Sequence, residues 1–166
     1  MKKKTITPEK QEKSITYHLK GFNVRNFYLI EPGFDITSNF NILNLKVGFN
    51  LDFSHNIDLN DFQVTIRILY HYFLNEKDIN LLELVLTTEY HISNIKIVLE
   101  IDGDKFRLPD DLLVNFVSIA YSTARGILFS KTQGSYLNQF ILPLIDPKEF
   151  IAQNLKFIEE SEHKVK

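Results

Sequence analysis

The chain has 166 residues, 44% of them hydrophobic, which is the length and apolar content of one domain with a real core. Its 19 basic and 21 acidic residues give a formal charge of -2, which offers no electrostatic case for nucleic acid. There is no cysteine, so disulfides and thiolate metal sites are excluded.

Met1-Lys-Lys-Lys4 has the basic start of a signal peptide, but Thr5 to Ser14 is polar and supplies no apolar h-region. No apolar run approaches the ~18 residues of a membrane span. The expected location is therefore the cytoplasm, without direct membrane insertion. Phe22 and Val24 alternate with polar residues, and the phase then slips to Phe27 and Leu29; a bulge near Asn26 explains the slip. From Leu43 to Phe53 every odd position is apolar, and the even positions are Asn44, Lys46, Gly48, Asn50 and Asp52. This is a strand with one buried and one wet face. Phe62 to Leu74 repeats the pattern on even positions, as do Leu82, Leu84, Leu86, Tyr90 and Ile92, with Thr88 the exception.

Ser54 to Asp61 and Asn75 to Asp78 read as hairpin loops, so the strands are expected to form an antiparallel meander. Each long strand has roughly 11 to 13 residues, about twice the usual length, and spans roughly 36 to 43 Å. Such a one-sided sheet needs a cover, and the C-terminal part supplies it. Pro109 suits a first helical position, and Asp110 and Asp111 suit the positive end of the helix dipole. Leu112, Leu113, Phe116, Val117, Ala120, Ala124, Ile127 and Leu128 follow at helical spacing. Gly126 costs this helix about 1 kcal/mol relative to alanine, which close helix packing or a helix end would explain. A second helix starts at Asp146 as N-cap, with Pro147 first and Glu149 third, a variant capping box. Phe150, Ile151, Leu155 and Ile158 share one of its faces. The predicted architecture is α+β: a four-stranded antiparallel sheet followed by two C-terminal helices. It forms a single domain over residues 1–166, with 1–14 and 162–166 expected to be flexible tails.

Val114, Ile119 and Phe129 fall outside the main apolar face of the first helix, as in a helix buried on more than one side. A second subunit is the expected partner for them. Catalytic chemistry finds little support. There is no phosphate-binding glycine loop, dinucleotide fingerprint or cysteine nucleophile, and Ser118, Ser122 and Ser130 lack a nucleophile elbow. His71 and His91 lie on different strands and could be neighbours, but two histidines without a third ligand make a poor zinc site. No enzyme activity and no cofactor are expected. The 14 Phe and 7 Tyr, without Trp, fit either a Phe-rich core or a surface that accepts many apolar partners.

Over residues 20 to 155 the chain resembles the SecB family of export chaperones. The resemblance is carried by Phe22 to Tyr28, by Glu31 and Phe34-Asp35, and by Leu81-Leu-Glu83. Arg125-Gly126 in the long helix and Pro143 to Phe150 at the step into the last helix complete it. The intervals from Pro109 to Arg125 and from Gly126 to Pro143 are longer than in the best-known members, and Pro32-Gly33 interrupts the matched acids. The resemblance implies a SecB-like homotetramer, a dimer of dimers, that holds unfolded precursor polypeptides without ATP and passes them to the SecA motor. It implies client contact for Phe22, Val24, Phe27, Leu142, Phe150 and Ile151. It also implies SecA docking for Glu31, Asp35, Leu81 and Glu83. Read without it, Phe22, Val24 and Phe27 are ordinary core, Glu31 and Asp35 flank a turn, and Arg125 bonds across helices. Two other readings stand beside general export: a SecB-like chaperone dedicated to the antitoxin of a toxin–antitoxin system, and a module that binds a small apolar ligand in a closed pocket.

Overall fold

Four segments of period-two alternation form four strands in a computed structural model that describes residues 15–31, 40–74, 77–102 and 105–162. They are β1 (Tyr17–Leu29), β2 (Leu45–Asn56), β3 (Asp61–Leu74) and β4 (Lys77–Ile92). β2, β3 and β4 follow one another as antiparallel hairpins, as the short polar loops require. β1 joins at the far side of β4, so the order is β1-β4-β3-β2, and the β1–β2 connection passes from one edge of the sheet to the other. This placement modifies the simple meander: only β2 to β4 are sequential neighbours.

The register of β1 against β4 slips twice. Val24 pairs with Leu86 and Asn26 with Val85, which makes Arg25 the extra residue of the expected bulge. A second slip leaves Lys20 extra between Leu19 and Gly21. Directly opposite residues in an antiparallel pair share a face, and the two bulges keep Leu19, Phe22, Val24 and Phe27 opposite Tyr90, Thr88, Leu86 and Leu84. β4 has its own bulge: Leu82 pairs with Tyr70 and Asn80 with His71, which leaves Leu81 unpaired and turned into the core.

After β4 come elements that are too short for periodicity to reveal. They are a one-turn helix α1 (Ile95–Val98) and a hairpin of β5 (Glu100–Asp102) and β6 (Lys105–Arg107). Asn94 enters α1 with φ of 61°, a left-handed conformation that asparagine tolerates. The long helix α2 runs over Asp110–Lys131 and the last helix α3 over Pro147–Glu162. Pro109 occupies the N-cap of α2 rather than its first helical position, and its carbonyl accepts from the Leu112 and Leu113 N–H groups. α3 begins as expected, with Asp146 Oδ1 accepting from Lys148 N (2.8 Å) and Glu149 N (3.3 Å). Glu162 is the last residue of this helix; residues 1–14 and 163–166, and the side chains of Leu155 and Ile158, lie outside the described residues.

α2 buries Phe116, Val117, Ala120, Ala124 and Leu128 against β3 and β4. Tyr90 stacks on Phe116 with ring centroids 4.0 Å apart and donates its hydroxyl to the Phe116 carbonyl at 2.8 Å. Burial pushes that phenol up to about 12. α3 covers β2, where Phe49 and Phe150 meet edge to face at 5.2 Å. One expectation for α2 fails. Gly126 is exposed in mid-helix, and a Cβ there would meet nothing within 4 Å, so neither close packing within the chain nor a helix end explains it. By length and composition α2 is also apolar enough to cross a membrane, with a mean hydropathy of 1.4 over its best 18 residues, because Asn115, Ser118, Ser122 and Thr123 interrupt the apolar run without lowering its average far.

Candidate functional site

Sheet order decides what is covered. With α2 over β4 and β3 and α3 over β2, no helix among the described residues lies squarely over the helix-facing side of β1. The apolar side chains that the two bulges hold on that side therefore face solvent: Phe22 is 58% exposed and Val24 36%, with Leu19 exposed as well. They form the floor of a trench whose wall is α2. At one end Tyr17 packs edge-on against Phe116 at 5.1 Å, and Asn115 Nδ2 reaches the Tyr17 hydroxyl at 3.5 Å. At the other end the Lys131 ammonium lies 5.7 Å from the centre of the half-buried Phe27 ring. Strand and helix thus run side by side from Tyr17 to Phe27, a stretch that lies opposite Ile92 to Leu84 and so spans roughly 26 Å at the usual rise per residue. Ile119, one turn beyond Asn115 on the same helix face, is an exposed apolar group on the wall.

A second apolar cleft, of about 290 Å³, lies on the opposite flank of α2, where the first turns of α2 and α3 converge. Leu113, Val114, Ile151 and Ala152 line it, with Asp110 and Lys148 at the rim.

The structure divides the six positions expected to contact clients. Phe22, Val24 and Phe27 lie along the trench. Ile151 reaches the second cleft while itself mostly buried. Leu142 and Phe150 are core residues. The Leu142 carbonyl accepts from Arg125 Nε at 2.8 Å, and Tyr121 donates to the Pro143 carbonyl at 3.0 Å. These bonds tie the linker before α3 to the long helix, which gives Arg125 its structural use. Phe150 wedges between Phe49 and Tyr121.

Of the four docking positions three are described, and they differ in exposure. Glu31 is exposed at the end of β1, and Asp35 lies outside the described residues. Leu81 is fully buried because the β4 bulge turns it inward, against the outward direction its odd number implied. Glu83 does face outward but is only 6% exposed, since it accepts hydrogen bonds from Arg67 Nε and from Asn26 Nδ2 (2.7 Å).

That outer face carries a polar network that periodicity announced only as a row of polar positions. Lys20 Nζ bonds Asp61 at 2.6 Å and Glu89 at 3.1 Å, and His91 Nδ1 lies 3.3 Å from Asp61. Burial alone would raise the Asp61 carboxyl, but the hydrogen bonds from Lys20 and His91 outweigh it and hold the group below its ordinary value. Bonds to Asp61 and then Glu89 raise the Lys20 ammonium in turn. The His91 ring lies 5.2 Å from that of His18, tilted by 39°, whereas His71 sits at the far end of β3 beside Asp78, so His71 and His91 are not neighbours. Among the described residues no three metal-ligating side chains gather.

The fold and the site define an α+β domain whose helices cover three strands of a four-stranded sheet and leave an apolar trench over the fourth. Among solved structures, the chain is similar to the Mycobacterium tuberculosis Rv1957 SecB-like chaperone in complex with a ChAD peptide from the Rv1956 HigA1 antitoxin, at 10% identity over 78% of this chain and 90% of that one, with a TM-score of 0.47. It is also similar to a protein of unknown function from Streptococcus agalactiae, at 10% identity over 80% of this chain and 98% of that one, with a TM-score of 0.40. No protein-family model and no curated protein matches the sequence.

Proposed function

We propose that the protein is a non-enzymatic, ATP-independent holdase that binds extended non-native polypeptide in the trench between β1 and α2. The observation that carries this reading is the uncovered floor of Leu19, Phe22 and Val24 on a folded sheet. Apolar groups held on the core side of a strand without a cover are a binding surface. Burying them against a client is favourable by ~25 cal/mol per Å² and demands no particular client sequence. The cleft beside Ile151, on the other flank of α2, offers a second weak contact for the same chain, so that avidity replaces specificity. An open trench also suits a chain better than a small ligand, which wants an enclosed pocket.

Export of precursors through the SecA motor is one use of such a holdase. The burial of Leu81 and the pairing of Glu83 leave Glu31 as the exposed acid among the described docking positions. That favours a chaperone that works without the motor, as one dedicated to an antitoxin would. The test is light scattering from a refolding, aggregation-prone client. The wild type is expected to suppress aggregation without nucleotide, and Phe22→Ser with Val24→Ser to lose suppression while the thermal unfolding transition persists. A wild type without effect, or a double variant that is equally active, would sink the proposal.

A further inference from the structure

The two edge strands are held by different means. β2 is backed on its helix-facing side, where Phe49 packs against Phe150 and Tyr121. No residue of β1 is fully buried. On its opposite side β1 is held by two side-chain ties, and both sit at its bulges. At the first, the extra residue Lys20 reaches past β4 to Asp61 on β3 and also binds Glu89 on β4. At the second, Asn26, which follows the extra residue Arg25, donates to Glu83 on β4, whose other oxygen takes Arg67 from β3. Each tie therefore spans three strands, and in each the central carboxylate is nearly covered, Asp61 at 3% and Glu83 at 6% exposure.

A buried carboxylate robbed of its partner is costly when it stays buried. Here Lys20 and Asn26 belong to the strand that would leave. If β1 lifts away, Asp61 and Glu83 regain water on the side the strand had occupied, so the opening exchanges paired carboxylates for hydrated ones. Lifting β1 bares one flank of Leu84 and Leu86, which stay under α2, whereas opening between β3 and β4 would part them from Ile66 and Ile68 in the middle of the core.

We infer that β1 is a separately releasable strand, fastened by two carboxylate ties at its own bulges, and that it parts from β4 while the helix-covered β2–β4 sheet stays folded. Among the described residues the remaining fastenings are the backbone ladder to β4, the Asn80 bond to the Tyr28 hydroxyl, the packing of Tyr17 on Phe116 and of Phe27 and Leu29 at the edge of the core, and backbone contacts at both ends, where Ile30 N–H also donates to the Leu81 carbonyl at 2.8 Å. Ser93 N–H donates to the Thr16 carbonyl at 2.8 Å, and the Tyr136 hydroxyl to the Ile30 carbonyl at 2.7 Å.

Hydrogen–deuterium exchange on the full chain tests this, with Lys20→Met and Asn26→Ala, two exposed positions whose change leaves the core intact. Removing a hydrogen bond to a charged group should speed local opening by about tenfold or more. Amides of β1 are expected to exchange that much faster in Lys20→Met and faster again in the double variant, while those of β3 and α2 keep wild-type rates. Equal acceleration in β1, β3 and α2 would show that the ties serve global stability only. Unchanged β1 rates would show that the ladder alone holds the strand. Either result overturns the inference.

Discussion

Phe22 and Phe150 are the same residue type in opposite circumstances, and the difference is measurable. Phe150 is buried between Phe49 and Tyr121, so Phe150→Ala should cost about 3–5 kcal/mol in urea unfolding. Phe22→Ala, at an exposed position, should stay within about 0.5 kcal/mol and yet weaken client binding. Comparable losses for the two would mean that the trench floor is covered in solution. Asp61 supplies the pH dependence. Its folded value lies below the unfolded 3.8, so its contribution is present above that value and is lost as pH falls through the folded one. Lys20, raised above 10.5, acts in the other direction: its contribution is lost only as pH rises through the folded value. Lys20 and His91 are the charged and titratable groups paired with Asp61, and Glu89 shares Lys20 with it. Urea midpoints from pH 2 to 7 should therefore fall in acid for the wild type, and Asp61→Asn should start lower at neutral pH with a flatter acid limb.

At the scale of elements, legibility followed the length of the pattern. β2, β3 and β4 could be read because each repeats its alternation for more than ten residues, and α3 because Asp146-Pro147 is a local start signal with a local bond to satisfy. α1 and the β5–β6 hairpin, three or four residues per element, are too short to hold a period. The site was half legible. Alternation puts Phe22 and Val24 on the core side, but whether a helix covers them depends on β1 pairing with β4, which no local pattern encodes. The bulge at Leu81 defeats alternation outright, because one extra residue reverses the face of everything before it. Gly126 shows the same limit in α2. Helical spacing finds it, yet only the packing reveals empty space beside it. Gly126→Ala should raise the thermal midpoint, worth up to about 1 kcal/mol. A lowered midpoint would mean that a second chain packs tightly on Gly126 itself, closely enough for a Cβ to block it.

That second chain is the question for the whole molecule. In the most apolar 18 residues of α2, 39% are buried, and Ile119 and Phe129 are left on the exposed side. A bilayer could take such a helix only by stripping Phe116, Ala120, Ala124 and Leu128 from the sheet, which would give up the centre of the core. A second copy can cover the exposed side without that loss. The mass in solution should therefore be a multiple of the single chain, four-fold if the SecB resemblance extends to assembly. Ile119→Glu should reduce it while far-UV circular dichroism is retained. Ile119 also stands on the wall of the trench, so assembly and client binding draw on one helix from two sides. The variant should lose suppression of aggregation along with mass. If the wild type is monomeric at micromolar concentration, self-assembly is wrong, and the apolar side of α2 would then be additional surface for clients.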